Sequence, residues 1–320
     1  MRFVSLTLYH SHFPAPKTNE AVLKILFTGG TGLIGAAFIS KFAHKYEFTV
    51  ISRHPEKARE QLPKGVDVIA GLHDVADLCL FDAIINLAGE PIADKRWTAL
   101  QKQRICQSRW DITQHLVTRL KGCTHPPSVF ISGSAIGFYG RQGNRPVTES
   151  NYNVHDEFTH QVCHRWEQIA MQANSDATRV CVLRTGVVLD KNKGALPKMA
   201  MPVKFGVGGK IGSGEQILSW IHIDDMVNAI EYLLSNNRCE GAYNLTAPEP
   251  ETNAAFTQKL ASTLHRPNIF TVPKFALKIM MGEAAEMVTT GQHVIPEKLL
   301  DSGFKFSFPT LKPALENIYQ

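Results

Sequence analysis

Three side chains offer acid–base or hydroxyl chemistry. Ser134 follows an apolar run, and its hydroxyl can polarise a substrate oxygen, although it cannot supply a whole reaction alone. Tyr139 is the nearest phenol, either a proton carrier or a ring packed beneath its loop. His222 sits in Trp220-Ile221-His222-Ile223, whose alternation would turn Trp220 and His222 toward one cleft; packing at a domain boundary is the alternative. Arg109 and Arg184 suit an anionic substrate, because guanidinium forks match carboxylates and phosphates; both could instead close internal salt bridges. Glu167 either orients a ligand or makes helix-surface contacts. Cys163 would be a nucleophile only if His160 or His164 lowered its pKa. The 13 histidines show no ligand spacing, so no metal site is expected.

The element that would position this chemistry starts at Lys24. The apolar run Lys24–Thr28 enters Gly29-Gly30-Thr31-Gly32-Leu33-Ile34-Gly35, a G-x-x-G-x-x-G turn, and an apolar helix-like stretch continues to Phe42. Gly29 permits the tight turn, Gly32 lets backbone approach a pyrophosphate, and Gly35 lets the helix pack close. Thr31, Leu33 and Ile34 complete a helix N-terminus whose N–H groups face the phosphates. The spacing leans toward short-chain dehydrogenase/reductase-type binding. Ser52-Arg53-His54 follows the second apolar run. No acid stands there to bond two ribose hydroxyls, whereas Arg53 and Ser52 can hold a phosphate, with Lys57 a weaker donor; NADP is expected in preference to NAD. Asn86-Leu87-Ala88-Gly89 would border the adenine and ribose, and Ser132 and Gly133 would approach the nicotinamide.

Strands are expected at Lys24–Thr28, Phe48–Ser52, Val66–Ala70, Asp82–Gly89, Ser128–Ser132 and Arg179–Leu183, with helices over Trp97–Leu120 and Glu157–Gln172. Apolar runs separated by helices give an α/β class, a Rossmann-type doubly wound parallel sheet. Residues 190–214, rich in glycine and lysine, read as a lid or substrate loop. Residues 219–235 return to an apolar helical pattern after Ser219–Ile223, with Asp224 or Asp225 as its cap. A Pro-broken C-terminal lobe with two or three helices follows. The expected organisation is an N-terminal extension over 1–20, a dinucleotide-binding domain over 21–189 and 215–246, and a substrate lobe and lid over 190–214 and 247–320. Phe3–Leu8 could be a short strand within the extension, which lacks the pattern of a signal peptide.

At 320 residues and 44% apolar composition the chain can bury a sizeable core. The net charge of +5 is spread, and no Arg/Lys block alternates with aromatics, so nucleic acid is not an expected partner. No apolar stretch reaches membrane-spanning length, and no membrane partner is expected. Six cysteines without C-x-x-C fit a reduced, cytoplasmic compartment; Cys79 and Cys181 read as core residues. The expected partner is a small-molecule substrate, with an anionic one suited to the arginines; composition leaves the oligomeric state open.

The whole set resembles the extended short-chain dehydrogenase/reductases, and more closely their atypical epimerase-family branch. Besides the glycine turn and Asn86–Ile92, the resemblance rests on Ser108–Thr113, Ser134–Gly140, Trp166-Glu167, Leu183–Leu189, Gly208–Gly214, Ser219–Asp225, Ile295–Leu300 and Gly303-Phe304. It implies a cofactor-binding Rossmann domain with a small C-terminal substrate lobe, and places Ser134 at the active-site serine. The same resemblance places Thr159 and Cys163 where the family's Tyr and Lys normally stand. A phenol next to an ammonium exchanges a proton with a carbinol or carbonyl; a threonine and a cysteine cannot. The expected function is an NADP-dependent oxidoreductase or epimerase acting on a small polar or sugar-like substrate without the usual Tyr/Lys pair. The alternative is an NADP-binding sensor or interaction protein with little activity.

Overall fold

The computed structural model describes residues 22–151 and 153–320. The expected N-terminal extension, with its strand at Phe3–Leu8, lies outside the described residues. Seven strands form one parallel sheet: β1 (Lys24–Thr28), β2 (Glu47–Ile51), β3 (Asp67–Ile69), β4 (Ala83–Asn86), β5 (Val129–Ala135), β6 (Arg179–Thr185) and β7 (Gly241–Leu245). Their order is β3-β2-β1-β4-β5-β6-β7. The order reverses between β1 and β4, the crevice where such sheets bind ligands at the strands' carboxyl ends.

Central strands read as unbroken apolar runs because helices cover both faces. Ile25 and Phe27 of β1 join the core beneath α1 (Leu33–Phe42), α2 (Pro55–Gln61) and α6 (Ile223–Ser235). Leu26 points the other way, into the core with α3 (Ala99–Lys121) and α4 (Phe158–Met171). Phe27 lies 5.9 Å from Phe38 and 6.3 Å from Phe48, an aromatic cluster that seats α1 on the sheet.

A third core holds the lobe together. It joins Leu196, Ala200 and Val203 of α5 (Leu196–Lys204) to Phe256 and Leu260 of α7 (Asn253–Thr263) and to Leu311 and Leu315. Residues 190–214 are therefore not a bare lid loop. Pro197 opens α5, where a missing N–H costs nothing, and the buried residues recur at helical spacing. Beyond residue 247 the lobe has α7, α8 (Lys274–Met281) and three further helices, at Glu286–Thr289, Glu297–Asp301 and Leu311–Tyr319, more than the two or three expected. Strand β7 was also absent from the expected set. Trp220–His222 is a short strand paired with Val187–Leu189, and α6 starts only after it.

Candidate functional site

The glycine turn is shaped by backbone contact. Gly29 has φ +75°, and a Cβ on it would lie 2.6 Å from the Leu87 carbonyl. A Cβ on Gly35 would lie 2.4 Å from the Gly29 oxygen, so only glycine lets α1 pack this close. Gly32 differs. Its φ of −69° suits any residue, and its Cβ position meets only the Gly29 oxygen, at 3.2 Å. Space beyond Gly32 is open, α1 has no side-chain cap, and its first turn carries no acid. Uncapped N–H groups at Leu33, Ile34 and Gly35 with an open approach form a cradle that fits a pyrophosphate. Thr31, Leu33 and Ile34 are half-buried around it, and Leu33 Cδ2 reaches within 2.9 Å of the Cβ position of Gly194 in the lobe.

At the end of β2, Arg53 is exposed and makes no ion pair or hydrogen bond among the described residues. Ser52 is half-buried, its Oγ accepting from His54 N at 3.2 Å. At the end of β4, the side chain of Asn86 turns inward. Its Oδ1 accepts from Thr28 Oγ1 at 2.6 Å, and its Nδ2 donates to Thr113 Oγ1 at 2.8 Å. Thr113 Oγ1 also accepts from Trp166 Nε1 at 2.9 Å. Asn86, fully buried, thus ties β1, β4, α3 and α4 together. Leu87 and Ala88 press their backbone against Gly29, and Gly89 is exposed. Ser132 is fully buried, and Gly133 leaves room for the Trp166 ring.

Arg109 lies beneath Gly89, whose Cβ position is 2.9 Å from its Cζ. Its Nη1 donates to the Ile105 carbonyl at 3.0 Å, and the Trp166 ring lies 5.4 Å away. Among the described residues it has no carboxylate partner, and burial lowers its pKa. An unneutralised guanidinium this close to the strand ends can hold an anion or a carbonyl oxygen.

Arg184 takes the other course. Its Nε and Nη2 donate to Glu167 Oε1 and Oε2 at 3.0 and 2.9 Å, and its Cζ stacks 3.5 Å over Phe138. Its Nη1 donates to the Tyr139 oxygen at 3.0 Å, and the Tyr139 hydroxyl donates to Asn244 Oδ1 at 2.7 Å. Of the two readings open for each residue, the structure fits the second: Arg184 closes an internal ion pair, and Tyr139, fully buried with its hydroxyl occupied, packs beneath its loop. Burial also pushes the Tyr139 pKa up.

Ser134 is joined to the same network, its Oγ donating to Glu167 Oε1 at 2.7 Å. Its proton is committed, so toward the cleft Ser134 can only accept a hydrogen bond. Cys163 is buried, and its thiol is pushed up to about 11 by burial. It is neither a thiolate nor a cation. Thr159 is half-buried and donates to Glu157 Oε1 at 3.1 Å. His160 bonds the Phe138 carbonyl and stacks on His164 at 5.2 Å.

His222 is away from this cluster. Only 2% exposed, it lies 4.0 Å from the Phe308 ring, and its Nδ1 accepts from Asp224 N at 3.1 Å. His222, not an aspartate, caps α6, because the helix starts at Ile223 and puts both acids inside its first turn. Asp225 instead accepts from Ser307 N and Phe308 N at 2.8 and 2.9 Å, pinning the C-terminal segment. Trp220 is buried in the lobe core, so the alternation at 220–223 turns no side chain into the cleft. Burial lowers the His222 pKa below its ordinary 6.5. The folded state therefore favours neutral imidazole; this contribution is full above pH 6.5 and is lost as pH falls through the lowered folded value. Thermal melts from pH 7.5 down to 5 should show a smaller loss for His222→Asn, which keeps a cap acceptor, than for the parent; parallel curves would remove His222 as the source.

A model of the NAD dependent epimerase/dehydratase family matches residues 25–246. The chain belongs to this family. A second model, a domain of unknown function called DUF1731, matches residues 272–318, within the lobe. An epimerase family protein of Staphylococcus saprophyticus, SSP1921, is 38% identical over 299 residues, covering 92% of this chain and 98% of the relative. The crystal structure of human epimerase family protein SDR39U1 with NADPH is 32% identical, with TM-score 0.83 over 93% of this chain and 99% of that one. A nucleoside-diphosphate sugar epimerase from Corynebacterium glutamicum is 27% identical, with TM-score 0.74 over 93% of this chain and 59% of that one. In this epimerase/dehydratase-family chain, the described residues with metal-ligand spacing are Asp77, Cys79 and Cys123. They precede β4 and β5, at the opposite end of the sheet from the glycine turn, and Cys79 is only half-buried rather than core. The site residues that sequence reasoning missed are Thr28, Thr113 and Asn244. Their hydrogen bonds cross 58, 27 and 105 residues, and no local spacing marks them.

Proposed function

We propose that this chain is an NADP-dependent oxidoreductase or epimerase-like enzyme for a small polar, anionic substrate, working without a Tyr/Lys pair. The observation that carries this reading is the uncapped α1 N-terminus opening past Gly32, with the unpaired Arg53 beyond β2. Gly29, Thr31, Gly32, Leu33, Ile34 and Gly35 would hold the pyrophosphate, Ser52 and Arg53 the 2′-phosphate, and the backbone of Leu87, Ala88 and Gly89 the ribose side. A nicotinamide bound there supplies hydride transfer. The NADPH named with the human relative favours NADP. Arg109 provides the fixed positive charge that Cys163 does not, and anchors a substrate oxygen. Ser134, with its proton given to Glu167, accepts from a substrate hydroxyl and so orients a carbinol.

The test is turnover: NADPH oxidation and isotope exchange across carbonyl compounds and sugar nucleotides. Tight NADP binding with no turnover throughout would sink the enzyme reading. It would favour an NADP-binding sensor, which the half-buried Thr159 and neutral Cys163 support. Cofactor choice has its own test. Arg53→Ala should weaken NADP far more than NAD, by about 1.5–3 kcal/mol for a lost charge-assisted contact. Calorimetry showing equal weakening of both would remove this role.

A further inference from the structure

We propose that the exposed apolar face shared by residues 204–210 and 266–280 docks on an anionic lipid bilayer. No residue of α8 is buried. An eight-residue helix is marginal unless an apolar face packs on something. Yet Phe275, Ile279 and Met280 are 67–69% exposed. Beside them protrude Phe205, Val207, Ile269 and Phe270, at 49–78% exposure. The two segments are continuous: Gly209–Ile211 pairs with Phe270–Val272, the Cβ position of Gly206 is 3.9 Å from Pro267, and that of Gly212 is 2.7 Å from the Lys274 chain. Contiguous apolar surface of this kind marks an interaction site.

Charge selects the occupant. Lys204, Lys210, Arg266, Lys274 and Lys278 are exposed around the face, and none makes an ion pair among the described residues. The sequence has no Asp or Glu between Asp190 and Glu215, nor between Glu251 and Glu283. Of the three bounding glutamates, Glu251 pairs with Lys259 and Glu283 with Lys102, while Glu215 is exposed. Five cations equal the whole chain's net charge of +5, so the rest of the chain is balanced. Protruding Phe, Ile and Met ringed by Lys and Arg suit insertion at a headgroup boundary, where acyl chains take the apolar groups and anionic lipids the cations. No helix among the described residues is long and apolar enough to cross a membrane; the chain would lie on the surface. The proposal does not depend on the assignment of an activity.

The test is sedimentation of the full chain with sucrose-loaded vesicles, either phosphatidylcholine alone or equal parts phosphatidylcholine and phosphatidylglycerol. Binding is expected to the mixed vesicles only and to weaken with added salt. Phe275→Ser/Ile279→Ser and Lys274→Glu/Lys278→Glu, both at exposed positions and checked by circular dichroism, should each cut partition by about tenfold or more. No binding to mixed vesicles, or binding unchanged in both variants, overturns the proposal. A dimer in sedimentation equilibrium that these substitutions dissociate, with no vesicle binding, also overturns it and gives the face to a second copy. An acidic protein partner released by the same substitutions, again without vesicle binding, does the same.

Discussion

Gly32→Val is expected to fold normally and to lose dinucleotide binding by about 3 kcal/mol or more, on the order of two decades in Kd. The argument rests on what a Cβ meets there. Within the protein it touches only the Gly29 oxygen, at 3.2 Å, and the backbone angles suit valine. What valine would fill is the open approach to the α1 N–H groups, which a pyrophosphate needs. Gly35→Val is the contrasting control. Its Cβ would lie 2.4 Å from backbone oxygen, so that variant should fail in folding rather than in binding alone. Melting curves and NADP titration separate the two outcomes. A folded Gly32→Val protein that binds NADP like the parent would put the groove elsewhere.

The glycine turn was legible in sequence because its chemistry is local. Strand, turn and helix follow one another within 20 residues, and the glycines answer to neighbours in that stretch, to Val50 of β2 or to the end of β4. The catalytic cluster was less legible because its partners are distant. Arg184 looks the same in sequence whether it faces a substrate or Glu167, and the choice depends on the parallel registry of β5 and β6, which sets Ser134 opposite Arg184. Asn86 follows the same rule: a strand-end amide can face a ligand or a core, and Thr28 with Thr113 takes it inward. For His222 the packed alternative fits and the period reading does not, since a three-residue strand leads directly into a helix and leaves alternation no length to act over. Prolines and glycines hid α5 although its buried residues keep helical spacing.

Arg184→Met should cost about 3–5 kcal/mol of stability, because it leaves the Glu167 carboxylate buried and unpaired. Side-chain exposures of 7% for Arg184 and 10% for Glu167 leave little room for water to compensate. The stack on Phe138 and the bond to Tyr139 are lost as well. Replacing both charges, in Arg184→Met/Glu167→Leu, should recover more than half of the loss, since an apolar pair leaves no ion stranded. Denaturant unfolding measures both. The coupling also separates two roles for this network. If it only positions Ser134, the folded variants keep NADP affinity, because the pyrophosphate cradle and Arg53 lie at other strand ends, while any turnover falls with the loss of the Glu167 acceptor. Glu167→Gln retains an acceptor for Ser134 and should restore turnover in part. Should Arg184→Met cost under about 1 kcal/mol, the exposed-pair range, the ion pair is not what holds α4 to β6. Arg184 would then return as a substrate anchor.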